Sequence, residues 1–508
     1  MSVVSAESEL EGLFSFSNLY QAYLACRKRK RNTLNALEFE SCLLDNLDYL
    51  SESLRGGGYR PSRSLCFVVT RPKLREVFSA DFKDRVVRHL WVPRLEKIYE
   101  PKFIHDSYCC RKNKGTHKAV KRLQSFMQKT SKNGKQKAWF LQMDIKSFFM
   151  SIDKEILLGL LNKQVEDPVL LGLCRQNISH DPTVDHLFKG QKSLLAKVPA
   201  HKSLLKVSKG KGLPIGNLSS QFFANLYLNE LDQWVKHSLK AKFYLRYMDD
   251  FILLSPSQEQ LLLYKTKIIE FVQNRLALEC KSDWTLSPVS QGADFLGYII
   301  RPNYLLIRKR VIGNLKEKLH QYALLIQPQR LSGPQNPIIL SMPLGVVVQV
   351  RQTLASYLGH FKLAKFHHLL CSLREQFPWL DSLFLFGGNG RLTLRVEPDF
   401  RPGNLQAQVS WFFRKYKNLL LVFQIGQQFE VFGGQTQQLI PFLQNQPHRK
   451  HPRFTATLGF HRNLWPDIQA KLKQNHISYG VITEAGFCRS GLKRRVMSQS
   501  VIFNQEIS

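Results

Sequence analysis

The chain is short of acidic residues: 39 Asp and Glu stand against 73 Lys and Arg in 508 residues, a formal net charge of +34. That imbalance points to a polyanionic partner, because each phosphate neutralised releases condensed counterions. An anionic membrane surface satisfies the same charge. Long apolar runs are lacking, however. The best, Pro337 to Val350, is interrupted by Ser341, Pro343 and Gly345 and is too short to span a bilayer. Met1 to Glu11 lacks the basic-then-apolar layout of a signal peptide. The 9 cysteines include no Cys-x-x-Cys pair, so a zinc knuckle is not indicated. Their odd number without a secretion signal fits a reducing cytoplasm. There is no internal repeat and no low-complexity tract.

What is present is globular in character, with 44% hydrophobic and 22% charged residues. The length predicts two to four domains. Apolar spacing predicts helices over Tyr20–Leu50, Phe82–Ile98, Ser219–Leu239, Val311–Leu325 and Val346–Leu373, with a Leu-rich helix ending at Leu161. Ser64–Thr70 and Ala138–Met143 read as strands, and Lys242–Ser255 as a hairpin. His180–Lys211 is a basic connector. Gly388, Gly390, Pro398 and Pro402 cluster at a domain boundary, beyond which strand Asn418–Gln424 and helix Trp465–Asn475 suggest a compact α/β segment.

Three carboxylates carry the chemistry. Asp249 and Asp250 lie between the apolar runs Phe243–Leu245 and Phe251–Leu254, which puts them at the tip of a hairpin. Side by side they repel, and a cation normally offsets that cost. Asp144 ends another buried-type strand. Phosphoryl transfer to a 3′ hydroxyl uses two hard cations held by carboxylates, and Mg²⁺ prefers a few carboxylates plus substrate oxygens. An Asp-Asp pair alone is also found in ordinary polar turns, so the third carboxylate decides the reading.

Tyr247-Met248-Asp249-Asp250 resembles the catalytic turn of reverse transcriptases, and Asp144-Ile145-Lys146-Ser147-Phe148-Phe149 resembles their first catalytic motif. The resemblance covers about Tyr20 to Leu373. It implies an α+β right-hand polymerase: N-terminal helices and fingers over 1–140, palm over 141–300, thumb over 301–386. It implies two Mg²⁺ ions on Asp144, Asp249 and Asp250, with Mn²⁺ as a substitute, and template RNA, a DNA primer or cDNA, and dNTPs as partners. Phe149 then falls at the steric gate against a ribose 2′-OH, although an aromatic there also suits a core. Lys73, Arg75 and Arg111 are the triphosphate candidates, since Arg binds phosphate bidentately and Lys as a point charge. Lys281 falls near the pyrophosphate, and Leu296, Gly297 and Tyr298 resemble the primer grip.

Gly212-Leu213-Pro214-Ile215-Gly216-Asn217-Leu218-Ser219-Ser220-Gln221 separates this chain from most reverse transcriptases, which carry Gln-Gly and then Ser-Pro in this motif. Ile215-Gly216 and Ser220-Gln221 resemble the polymerases of diversity-generating retroelements, which copy a template-repeat RNA with errors at adenines. An apolar Ile in place of a hydrogen-bonding Gln removes a geometric constraint, because apolar contact discriminates weakly. This resemblance implies mutagenic retrohoming, a small basic accessory-variability protein as partner, no membrane, and a cytoplasmic location in a bacterium or phage-infected cell. A defence or retron-like reverse transcriptase without adenine bias, and a catalytically silent RNA-binding scaffold, are the alternatives.

After a linker at 387–404, residues 405–508 resemble the mismatch-recognition domain of MutS-type repair proteins, from Leu419 to Gly433 and again at Leu458–His461 and Val481–Glu484. Gln428, Phe429 and Glu430 are the nucleic-acid-binding candidates there. Gln428 stands where that family has its wedging Phe, and a Gln offsets unstacking poorly. General binding of hybrid or duplex is therefore expected.

Overall fold

In the computed structural model, residues 12–28, 33–70, 73–330, 338–341, 344–364, 366–387, 391–394, 405–416, 418–443, 457–487 and 493–503 are described. They divide into two compact units: Met1–Gln327 with Val348–Phe377, and Pro328–Val347 with Pro378–Ser508. Residues 301–386 fall partly in each unit. Most of the expected linker lies outside the described residues.

The first unit opens with three helices where the sequence suggested one: α1 (Phe16–Arg27), α2 (Leu34–Ser41) and α3 (Leu43–Arg55). Cys42, at φ −127° and ψ 50°, breaks α2 from α3. A three-stranded sheet follows, built from β1 (Ser64–Val69) and β2 (Arg75–Ser79). Asp81 caps α4 (Phe82–Tyr99) by accepting from the Lys83 amide at 3.0 Å. Rings of Tyr23, Phe39 and Phe82 lock α1 and α2 onto α4.

The central sheet uses β3 (Trp139–Asp144), β5 (Phe243–Tyr247), β6 (Asp250–Ser255) and β7 (Thr285–Pro288) in the order β5-β6-β3-β7, all antiparallel. Its strands read as nearly unbroken apolar runs because both faces are covered. Leu141, Met143, Phe251 and Leu253 enter one core with α10 (Leu218–His237) and α11 (Gln258–Leu276). Phe140, Leu245, Ile252 and Leu254 enter the other, with α5 (Thr116–Thr130) and the hairpin β8 (Ala293–Phe295)–β9 (Tyr298–Ile300), which β10 (Leu305–Ile307) extends. Each such residue contributes about 1.5–3 kcal/mol by leaving water. Truncating Leu253 to Ala would cost about 2–5 kcal/mol.

Beyond β3 the chain forms α6 (Phe148–Ser151), α7 (Lys154–Asn162), which is the expected Leu-rich helix, and α8 (Pro168–Ser179). The basic connector that follows is more ordered than its composition suggests. It forms β4 (His186–Phe188), parallel to β1, and helix α9 (Lys192–Ala196). The helix expected over Val346–Leu373 is two, Leu344–Phe361 and His367–Gln376.

The second unit is a five-stranded sheet with a helix against each face. Its strands are β11 (Leu420–Ile425), β12 (Gln428–Phe432), β13 (Thr457–His461), β14 (Tyr479–Phe487) and β15 (Lys493–Val501), in the order β13-β12-β11-β14-β15. Period-2 alternation sends Leu420, Val422 and Val431 toward helix Trp465–Gln474, and Leu421, Phe423 and Phe432 toward helix Leu405–Lys415. The chain is therefore mixed α/β. Among the described residues no helix is long and apolar enough to cross a membrane.

Candidate active site

Asp144 ends β3 and Asp250 begins β6, and the two are register partners on adjacent strands. Met248 and Asp249 are the two residues of the β5–β6 turn. Met248 has φ 59° and Asp249 has no positive φ, the pattern of a type II′ hairpin. The Asp249 carbonyl accepts from the Ile145 amide at 3.2 Å, which ties the turn to the end of β3. Local hairpin chemistry and sheet register thus bring all three carboxylates to one edge.

Their environment opposes the charged form. Burial, and then the neighbouring Asp144, raise the Asp249 carboxyl. Burial pushes the Asp250 carboxyl up to about 7, with repulsion from Asp144 and Asp249 adding to it. The Gln142 amide opposes this by donating to both Asp250 oxygens, at 3.1 and 3.3 Å. Lys281 donates to Asp144 Oδ2, and that bond lifts the ammonium against its own desolvation. The other oxygen, Asp144 Oδ1, is buried with no hydrogen-bond partner.

An orphaned carboxylate oxygen beside two carboxyls driven toward neutrality fits a divalent cation held by oxygen ligands. Among the described residues no three His, Cys, Asp or Glu side chains are gathered closely enough to hold an ion by themselves.

The other expected site residues divide. Arg75 is exposed on β2 and close enough to lower the Asp249 carboxyl by its field. Lys73 is exposed just before it. Phe149 and Ile215 join one small cluster with Phe78 and Met150. The Phe149 carbonyl accepts from the Leu213 amide at 2.8 Å, and the Ile215 carbonyl from Phe78 at 3.1 Å. Gly216, at φ 114°, sits so close to β2 that a Cβ there would lie 2.7 Å from Val77 Cγ1. Gln221 is half-buried in the first turn of α10.

Arg111 is a correction. Its guanidinium is buried and spends four of its five N–H groups on Glu100 and on the carbonyls of Ile104 and Ser107, at 2.6–3.1 Å. It straps a loop and has little left for a triphosphate. Leu296 (φ 52°) and Gly297 (φ 88°) form the expected turn, and the Tyr298 ring beside it is fully buried. It lies 4.4 Å from the His360 ring, and its hydroxyl donates to the His360 carbonyl. In the second unit, Phe429 packs on Phe460 and Trp465, and Glu430 is buried. Alternation sends the two to opposite faces of β12, and both are buried because each face of the sheet is covered, while Gln428 is half-exposed. Phe429 and Glu430 are thus buried in the second unit.

Sequence reasoning passed over Arg246. It is fully buried and pairs with Asp232 at 2.7 and 2.8 Å, while donating to Ser107 Oγ and Asn225 Oδ1 at 3.1 and 3.3 Å. Its Nη1 also donates to the Met248 carbonyl. The signal was available: an arginine inside the apolar strand Phe243–Tyr247 needs a buried acid, and Asp232 lies on the helix beneath.

Residues 71–300 match the family model described as "Reverse transcriptase (RNA-dependent DNA polymerase)". Among known proteins, the chain is 26% identical over 325 residues to the group II intron-encoded protein LtrA of Lactococcus lactis subsp. cremoris, covering 51% of this chain and 50% of LtrA. It is 23% identical over 327 residues to protein YkfC of Escherichia coli (strain K12), covering 57% of this chain and 81% of YkfC. Apo telomerase from Candida tropicalis aligns with a TM-score of 0.37 at 12% identity, over 62% of this chain and 60% of that one, a likeness too low to carry an argument. The chain spans about half the length of the first of these relatives. Over residues 71–300 it therefore carries a reverse transcriptase domain, the domain of RNA-directed DNA polymerases.

Proposed function

We propose that this protein is an RNA-directed DNA polymerase of the diversity-generating retroelement type, copying a template-repeat RNA into cDNA with errors concentrated at adenines. The observation that carries the polymerase reading is the pairing of Asp144 with Asp250 across β3 and β6, with Asp249 beside them in the β5–β6 turn. In the reaction, a primer 3′ hydroxyl attacks the α-phosphorus of a dNTP and pyrophosphate leaves. Asp144, Asp249 and Asp250 would hold the divalent cations, Mg²⁺ or Mn²⁺. Bound there, such ions supply Lewis acidity to the attacking hydroxyl and the departing phosphate. Arg75 and Lys73 face the triphosphate charge, and Lys281 balances Asp144. Phe149 fills the space a 2′-OH would need. Fingers, palm and thumb are assigned to 1–140, 141–300 and 301–386, and residues 405–508 to a duplex-binding accessory domain like that of MutS proteins.

The retroelement reading rests on Ile215-Gly216 and Ser220-Gln221. Ile215 lies beside Phe149 in the same apolar cluster, where it offers an incoming base no hydrogen bond. The test is primer extension on an RNA template with Mg²⁺, sequencing every product, with the basic accessory protein supplied in parallel. Errors opposite template adenines support the full reading. Synthesis with evenly spread errors leaves the polymerase and removes the retroelement assignment. No synthesis with native template and partner present removes both. The Asp249→Asn variant should lose extension by at least about 100-fold while still binding RNA.

A further inference from the structure

Between Lys189 and Lys211 the chain carries seven lysines and no aspartate or glutamate, and the next acid is Glu230. Six of the seven are exposed. Among the described residues none of them is ion-paired. A lysine-rich face is ordinarily only solvated, but three features set this one apart.

The first is rigidity. Strand β4 adds in parallel to β1, and the Lys189 amide continues that pairing by donating to the Cys66 carbonyl at 2.8 Å. The buried carboxylate of Glu76 on β2 accepts from Ser203 Oγ at 2.7 Å and from the Leu204 amide at 2.9 Å. The lysines thus stand on a pinned platform, and ordering them on a ligand costs little backbone entropy.

The second feature is shape. A recess of about 310 Å³ opens in the platform, lined by Lys154, Lys209 and Lys211, the backbone of Gly210 and Gly212, and a single acid, Asp181. Burial depresses the Lys154 ammonium, so an anion in the recess would relieve it.

The third is continuity with the active site. Leu204 and Val207 of the platform share the apolar cluster of Phe149 and Ile215. The Gly212 amide, one residue past Lys211, donates to the Ile152 carbonyl at 2.8 Å. On the polymerase reading, on which this inference rests, Phe149 and Ile215 face the incoming nucleotide. A strand that runs past the newest base pair in that direction is unpaired template.

We propose that residues 189–211 form a phosphate-binding platform for the unpaired, not yet copied stretch of the template RNA. Each lysine–phosphate contact releases counterions, and binding to a single strand then carries a salt slope of about 0.7 per contact.

The test is equilibrium binding of the full chain to two RNA–DNA primer-templates, one blunt and one with a 5′ RNA overhang of about a dozen nucleotides, across a salt series. The wild type should prefer the overhang. The variant Lys192→Ala/Lys197→Ala/Lys206→Ala/Lys209→Ala should lose that preference by at least about tenfold near 0.1 M salt. Its salt slope on the overhang substrate should fall by about three. An unaltered preference overturns the inference, and so does an equal loss on the blunt duplex, which would make the platform a duplex contact. A circular-dichroism melt of the variant keeps misfolding apart from lost binding. Because the readout is binding, it is independent of catalysis: a chain that prefers the overhang but never extends a primer would sink the polymerase reading alone.

Discussion

Arg246 Nη1 donates a 2.9 Å hydrogen bond to the carbonyl oxygen of Met248, so a fully buried cation holds the turn that presents Asp249. The same guanidinium is neutralised by Asp232, whose other donor is the Tyr244 hydroxyl at 2.8 Å. Arg246→Met should destabilise the protein by about 3–5 kcal/mol, because it strands the Asp232 charge in the core. Adding Asp232→Leu should recover most of that stability without restoring extension, since the turn still lacks its donor. Urea unfolding and primer extension on the two variants separate the roles. Recovery of activity along with stability would show that Arg246 only neutralises Asp232.

The triphosphate contact can be tested by contrast. Arg75 is exposed and within electrostatic reach of Asp249, whereas Arg111 is buried on Glu100. Arg75→Ala should raise KM for dNTPs about tenfold with little change in melting temperature. Arg111→Ala should lower the melting temperature and leave KM for dNTPs near the wild-type value. The reverse pattern would restore Arg111 as a triphosphate ligand.

Gly216 occupies a backbone region that side chains rarely adopt and leaves no space for one, since an added Cβ would meet Val77 Cγ1 at 2.7 Å. Gly216→Ala should cost about 1–3 kcal/mol through strain and overpacking. It should also shift Ile215, and with it the error spectrum. Val77→Ala in the same background should relieve the packing part and leave the φ strain. Thermal melts of the three proteins check the split.

His180 and His360 make stability depend on pH. Desolvation lowers both imidazoles from their ordinary value, with help from Arg88 at His180 and from His117 at His360. Each therefore binds a proton less readily folded than unfolded. Their contribution is whole above the unfolded value near 6.5 and is lost as pH falls below it. The raised carboxyls of Asp249 and Asp250 act the opposite way, gaining stability as pH falls, so the test is a difference: between pH 7 and pH 5, His360→Phe, which keeps a ring on Tyr298, should lose less melting temperature, or gain more, than the wild type. An identical slope in the variant would clear His360 of the effect.

Several elements could be read from residues alone because local rules specify them. The strand ending at Asp144 and the hairpin around Met248-Asp249 follow from apolar runs flanking a polar tip, and both occur where expected. The second unit's first strand and its helix from Trp465 likewise follow from short apolar periodicity. Other placements were decided by long-range contacts. Nothing near Arg111 in sequence separates a free guanidinium from one tied to Glu100, eleven residues away. Phe429 and Glu430 lie on opposite faces of β12, and whether both faces are covered is undefined until β11, β13 and the flanking helices are placed. Tyr298 turned inward onto His360, a residue 62 positions later in the chain.

By itself the sequence determined the chemistry on offer: carboxylates at strand ends, a large excess of cations, and an apolar Ile215 where hydrogen bonding is usual. Those depend on residue type and local spacing, which tertiary contacts do not alter. Only the tertiary structure decided which groups act together. Sheet register set Asp144 opposite Asp250 and left Asp144 Oδ1 buried without a partner. Burial drove the Asp250 carboxyl toward neutrality, and a buried ion pair anchored the turn through Arg246. The pinning of residues 189–211 onto β1 and Glu76 turned a run of lysines into a surface. Burial and electrostatic coupling are properties of what surrounds a group, and the surroundings exist only once distant segments have packed.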